Sequence, residues 1–124
     1  IKKWARDGLI IYRGYYSDIQ KMYKDIDIVC LPSWREGFPK VLMEAASLGL
    51  PVITTDVPGC RDAVIKNETG ILVPIKDEIK LANAIKKLFE DVNLRNKMGK
   101  ANRNLAINKF DLNKIIPKVI KLYS

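Results

Sequence analysis

Short runs of branched aliphatic residues alternate along this chain with stretches in which apolar positions recur every three or four residues. Gly8-Leu9-Ile10-Ile11-Tyr12, the run over 27–31, Val52-Ile53-Thr54-Thr55 and Ile71-Leu72-Val73 have the length and branching of buried strands. Between them, residues 15–24 carry Ile19, Met22 and Tyr23 on one helical face, with Ser17 or Asp18 as cap. The pattern places a second helix over 39–48. Pro39 suits its first position, since the missing N–H would be an orphan there. Gly49 ends it, and Pro51 enforces the stop. A third helix is expected over 60–66, followed by a turn at Asn67-Glu68-Thr69-Gly70.

Strands alternating with helices through short connections predict right-handed βαβ units. The fold class is therefore α/β: a parallel Rossmann-like sheet with helices on both faces. Ligands of such sheets sit beyond the carboxyl ends of the strands, where the loops at 13–16, 32–39, 56–59 and 74–77 would gather. The remainder reads as helical cover. Asp77 can cap a helix bearing Leu81, Ala84, Ile85 and Leu88, and Asn93 one bearing Leu94, Met98, Ala101 and Leu105. Gly99 sits inside that last helix at a cost of about 1 kcal/mol relative to Ala, which points to close packing against a neighbour. Asp111 starts a final helix with Leu112, Ile115, Val119 and Leu122, kinked or broken by Pro117.

Composition narrows the chemistry. The 124 residues make one domain, and their start at Ile1 in mid-pattern suits a piece of a longer protein. There is no histidine, which removes imidazole bases and the usual zinc chemistry. Cys30 and Cys60 have no C-x-x-C spacing and read as reduced thiols of a cytosolic protein. No run approaches the ~20 apolar residues of a membrane span. The net charge of +8 is lopsided: residues 1–75 hold 10 basic and 9 acidic side chains, residues 76–124 hold 12 and 5. Such a basic segment is either a solvated surface or a contact for an anionic membrane. Nucleic acid is the poorer partner, as no nucleic-acid motif accompanies the charge.

The candidate chemistry lies in residues 32–45. Between Val41 and Thr55 the only charge is Glu44, in a mostly apolar helix, where a carboxylate is costly unless something pairs with it. Two readings stand: a surface pair with Lys40 four residues earlier, or a carboxylate that accepts hydrogen bonds from ligand hydroxyls. Glu36 lies upstream with seven residues intervening, and Gly37-Phe38-Pro39 joins it to the helix start, where free N–H groups favour an anion. Carboxylates for hydroxyls around amides for phosphate suit a nucleotide sugar. They would be odd opposite a nucleic-acid backbone.

These residues carry a family resemblance. E-G-F-P-K-V-L-M-E-A, then S-L-G-L-P-V-I-T-T-D-V-P-G-C-R-D-A-V and T-G-I-L-V-P, resemble the retaining glycosyltransferases of family 4, which have the GT-B fold. The likeness runs from about Leu9 to Phe110. It implies that the chain is the partial C-terminal, donor-binding domain of such an enzyme, with the acceptor-binding N-terminal domain absent. It further implies transfer from a nucleotide-diphosphate sugar, UDP-linked by family habit, with retention of configuration and without metal or cofactor. The acceptor would be a glycan or lipid-linked sugar of surface polysaccharide synthesis, handled at the inner membrane face.

By the same resemblance Glu36 contacts the donor sugar and is catalytic in the sense of positioning, while Glu44 binds the ribose hydroxyls. Gly37, Phe38, Lys40 and Val41 offer backbone N–H groups to the diphosphate; Pro39 cannot. Arg61 either reaches the donor or pairs with Asp62 or Glu68. Asp62 stands where many relatives have Glu. The strand and glycine-rich turn that open this half-domain in the family are missing, as are the basic residues that grip the diphosphate. A nucleotide-sugar epimerase or sugar phosphorylase of the same architecture, or a non-catalytic sugar-nucleotide-binding module, are the alternatives.

Overall fold

A computed structural model describes residues 25–32 and 40–109. The strand expected over 8–12, the helices over 15–24 and from Asp111, and the loop carrying Glu36 to Pro39 lie outside the described residues. Within them, β1 (Val29–Leu31), β2 (Val52–Thr55) and β3 (Gly70–Val73) form one sheet in that order, and both pairings are parallel. Three helices accompany it: α1 (Lys40–Ser47), α2 (Glu78–Glu90) and α3 (Val92–Lys109).

The register explains why the strands are apolar on both sides. Val29 stands opposite Val52, and Cys30 opposite Ile53, which in turn faces Ile71. Val52 and Val29 pack on Leu42 and Ala45 of α1, whereas Ile53 packs on the other face against Ala84, Leu88 and Met98 of α2 and α3. A sheet built in one direction with right-handed crossovers puts its connections on one face. Accordingly Val57, Cys60, Ala63 and Val64, between β2 and β3, join the α1 cluster. The chain then returns through α2 and α3 to cover the opposite face. Helices on both faces of a parallel sheet are thus what the alternating pattern required.

Local chemistry fixes the element ends. Gly49 adopts φ 71°, Leu50 N–H donates to Ala45 O at 2.9 Å and Gly49 N–H to Ala46 O at 3.1 Å. These are the two bonds of a Schellman C-cap, closed by the glycine expected to end the helix. Asp77 caps α2, its carboxylate accepting from Lys80 N at 2.9 Å. Asn67, at φ 64°, shapes the turn before β3, its N–H bonded to Gly70 O at 2.8 Å.

Three expectations need correction. The helix over 60–66 is reduced to a 3-10 turn, Arg61–Ala63, with Val64 extended. Val64 and Ile65 are β-branched and lose side-chain freedom in a helix, and Thr69 Oγ1 takes the Ile65 N–H at 2.9 Å, diverting the backbone into the turn. The cap of α3 is Asp91 rather than Asn93: its Oδ1 accepts from Leu94 N at 2.9 Å, and a charged carboxylate suits a helix N-terminus better than an amide. The buried stripe of α3 is Met98, Gly99, Asn102 and Ala106, rotated from the one read off the sequence, with Ala101 and Leu105 only half-buried. On α2, Ile85 is likewise exposed. Among the described residues no helix is long and apolar enough to cross a membrane.

Candidate functional site

The parallel strands bring Pro32, Asp56 and Pro74 to one edge of the sheet, immediately beyond the carboxyl ends of β1, β2 and β3. A cavity of about 170 Å³ lies there, lined among others by Pro32, Thr55, Val73 and Leu81. A larger groove, about 780 Å³, runs along the opposite edge between Ile26, Leu50 and α3. Size does not make it the ligand site: the carboxyl ends of the strands and the starts of α1 and α2 lie at the first edge, and of the helix starts only the first turn of α3, at Arg95, reaches the groove.

α1 follows β1 and leads into β2, so it begins near the carboxyl edge and descends toward the amino edge. Lys40, its first residue, is exposed, and Val41 is half-buried against the α1 cluster. Glu44 lies one turn further in, about 6 Å along the axis. It keeps only 1% of its surface, among Leu42, Met43, Ala45 and Ala46. A solvated surface pair with Lys40 is therefore not what α1 presents. A buried carboxylate is held instead by directed donors, from the protein or from a ligand. Lys40, Val41 and Glu44 thus share one helix that begins near the carboxyl edge of the sheet. Glu36, Gly37 and Phe38, assigned to the same site from the sequence, lie outside the described residues, in the segment that leads into this helix.

Arg61 is also at that edge, in the connection that leaves β2. Its Nε donates to Asp56 Oδ1 at 2.7 Å and its Nη2 to Asp56 O at 3.2 Å. Its partner is thus Asp56, neither Asp62 nor Glu68. Both side chains of the pair are about half exposed, so the ion pair itself adds little stability. Among the described residues no three His, Cys, Asp or Glu side chains gather as metal ligands. Cys30 is exposed on β1, and partial desolvation raises its thiol above its ordinary pKa.

Sequence reasoning missed the residues that fasten α1. Arg103 donates through Nη1 to Ser47 O, and Asn102 through Nδ2 to Leu50 O at 2.8 Å. Ser47 Oγ donates to Glu44 O at 2.8 Å. One signal was available: Asn102 lies four residues from both Met98 and Ala106, a polar residue on an apolar stripe.

The comparisons with known proteins agree with this geometry. The family model described as "Glycosyl transferases group 1" matches residues 6–105. The capsular polysaccharide biosynthesis glycosyltransferase CapM of Staphylococcus aureus is 36% identical over 93% of this chain and 30% of its own length. An N,N'-diacetylbacillosaminyl-diphospho-undecaprenol alpha-1,3-N-acetylgalactosaminyltransferase of Campylobacter jejuni is 32% identical over 98% of this chain and 32% of its own length. Among solved structures, HepE of Anabaena in complex with UDP superposes with a TM-score of 0.82 at 25% identity, covering 98% of this chain and 34% of that one. The same protein is known in complex with UDP-glucose. The chain thus spans about a third of the length of these relatives, within their GT-B architecture. On the family model's span and on relatives more than 30% identical over nearly its whole length, the chain belongs to the group 1 glycosyl transferases.

Proposed function

We propose that this chain is the donor-binding part of a glycosyltransferase that moves a sugar from a UDP-sugar to a glycan or lipid-linked acceptor in surface polysaccharide synthesis. The observation that carries the reading is the buried carboxylate of Glu44 on a helix that starts at the ligand edge of a parallel sheet. Relatives named for undecaprenol-linked acceptors and capsular polysaccharide support the acceptor class, and the UDP and UDP-glucose complexes of HepE support the donor. The acceptor-binding half belongs to the remaining two-thirds of the parent.

In this reading Glu44 accepts hydrogen bonds from the ribose hydroxyls, an interaction equally present in ground and transition states. Glu36 aligns the sugar ring. As the bond to the anomeric carbon breaks, negative charge develops on the departing diphosphate. The N–H groups of Lys40 and Val41, at the positive end of α1, with those of Gly37 and Phe38 just before them in the sequence, are the donors for it. No nucleophile is assigned to this chain. The donor's configuration is retained, as in family 4. The protein works at the cytoplasmic face of the membrane, held peripherally in part by cations of α3, where Val92–Lys109 contains five basic and no acidic residues.

The test is incubation of the full-length parent with UDP-sugars and a diphospholipid-linked acceptor, following UDP release and the anomeric configuration of the product by NMR. Release of UDP coupled to an axial or equatorial linkage matching the donor is expected. Inversion would overturn the family 4 assignment, interconversion of donor sugars would indicate an epimerase, and binding without turnover would indicate a non-catalytic module.

A further inference from the structure

α1 has eight residues, too few to hold its own geometry in water, so its position is set by what grips it. The contacts of Leu42 and Ala45 with the sheet are apolar and non-directional. They anchor the helix to the sheet. Among the described residues, α3 grips the C-terminal end of α1 at three points, one steric and two hydrogen-bonded. Gly99 abuts Gly49 so closely that a Cβ built on it would stand 2.3 Å from Gly49 O. Asn102, 1% exposed, donates to Leu50 O, and Arg103 donates to Ser47 O.

Carbonyl accounting shows why these bonds matter. The last four carbonyls of a helix have no intrahelical partners. The Schellman bonds serve Ala45 and Ala46, while Ser47 O is served by Arg103 from 56 residues away. A guanidinium at a helix C-terminus also complements the macrodipole. The clamped turn includes Glu44 itself, whose carbonyl accepts from Leu48 N at 3.1 Å and from Ser47 Oγ. A shift at Ser47 therefore travels to Glu44 through less than one helical turn. Asn102 is buried on an apolar stripe with Nδ2 bonded to Leu50 O and Oδ1 without a hydrogen-bond partner among the described residues, so its amide is there for the bond to α1 and not for packing.

From these contacts we infer that α3 sets the donor site from outside it: Asn102 and Arg103 are positioning residues that fix the rotation of α1 and thereby the aim of Glu44. The inference rests on the reading of Glu44 as the ribose acceptor. It extends that site to residues on the far side of the sheet edge, next to the 780 Å³ groove that Gly99 and Arg103 help to line.

The experiment is a double-mutant cycle in the full-length parent, read as UDP affinity by calorimetry at a temperature where melting curves show every variant folded. Glu44→Gln reports the ribose contact by itself. Arg103→Ala, a change at an exposed residue, is expected to weaken UDP binding about three- to tenfold, the size of coupling within one hydrogen-bonded network. Arg103→Lys, which keeps a cation near Ser47 O, is expected to restore most of the loss. In the Glu44→Gln background Arg103→Ala should change affinity by less than about twofold, because the residue it aims is already disabled. Asn102→Ala, which drops the donor without adding bulk, should follow the same pattern. Equal losses in both backgrounds, or folded Arg103 and Asn102 variants with unchanged affinity while Glu44→Gln binds weakly, would overturn the positioning role and leave the ribose reading intact. If Glu44→Gln alone leaves UDP affinity unchanged, the ribose reading itself fails, and the inference with it.

Discussion

Replacing Gly99 by Ala sets helix propensity against packing, and the structure says which wins. Alanine in a helix interior is favoured over glycine by about 1 kcal/mol, so on propensity alone the substitution stabilises. The new Cβ would lie 2.3 Å from Gly49 O and 3.3 Å from Gly49 C. Both are backbone atoms of a glycine at φ 71° held in a Schellman cap, so they cannot swing aside. Relief needs α3 to withdraw from α1 by roughly 1 Å, since carbon contacts settle near 3.5 Å. That withdrawal stretches the Asn102–Leu50 bond well beyond its 2.8 Å and also the Arg103–Ser47 bond. Each is worth about 1 kcal/mol net, and the separated surfaces lose packing as well. The balance is a loss of about 1–3 kcal/mol, or a fall in Tm of roughly 4–10 °C. Thermal and urea unfolding of Gly99→Ala beside Lys100→Ala, an exposed neighbour expected within about 0.5 kcal/mol of wild type, measures it. A Gly99→Ala protein as stable as wild type or more so would refute the close approach of the two chain segments.

Other substitutions probe the sheet, the ligand edge and the charge. Gly70→Ala should destabilise by about 1–3 kcal/mol, because its Cβ would meet Val52 O and Cγ2 at 2.5 Å across the β2–β3 ladder; urea midpoints test this. Arg61→Ala should cost at most about 1 kcal/mol of stability, as its pair with Asp56 is half exposed. If the same variant also lowers donor affinity tenfold by calorimetry, Arg61 serves the donor rather than the loop. The basic segment after residue 76 should give vesicle binding that depends on anionic lipid and fades with salt, since such attraction is screened within about 8 Å at physiological ionic strength. Equal sedimentation with neutral and anionic vesicles would leave it a solvated surface.

What was legible in the sequence was what a few residues decide by themselves. β-Branched runs bounded by Pro and Gly specified β2 and β3, and their alternation with helices specified parallel pairing. Gly49 announced the end of α1 because few residues adopt positive φ, and Asp77 announced the start of α2. Gly99 betrayed a close contact, although its partner, Gly49, could not be read from a local pattern. The failures share a cause: competition between neighbours. Asp91 and Asn93 are both good caps, and the carboxylate wins at the helix dipole. Residues 60–66 have a plausible helical start, yet Val64 and Ile65 resist it and Thr69 supplies an alternative partner. The roles of Asn102 and Arg103 were illegible because they depend on acceptors 52 and 56 residues away. For Glu44, the sequence left a surface pair and a ligand carboxylate open, and burial of all but 1% of the residue removes the first.

The most direct measurement is the affinity of the full-length parent for its UDP-sugar with Glu44→Gln, set beside turnover by Glu36→Gln. A charge-assisted hydrogen bond to the ribose is worth about 1.5–3 kcal/mol, so Glu44→Gln should weaken donor binding roughly ten- to hundredfold and raise KM with kcat little changed. Glu36→Gln should instead lower kcat, because a misaligned sugar costs rate more than affinity. Donor affinity unchanged in a folded Glu44→Gln protein would contradict the ribose assignment and make Glu44 a buried structural carboxylate.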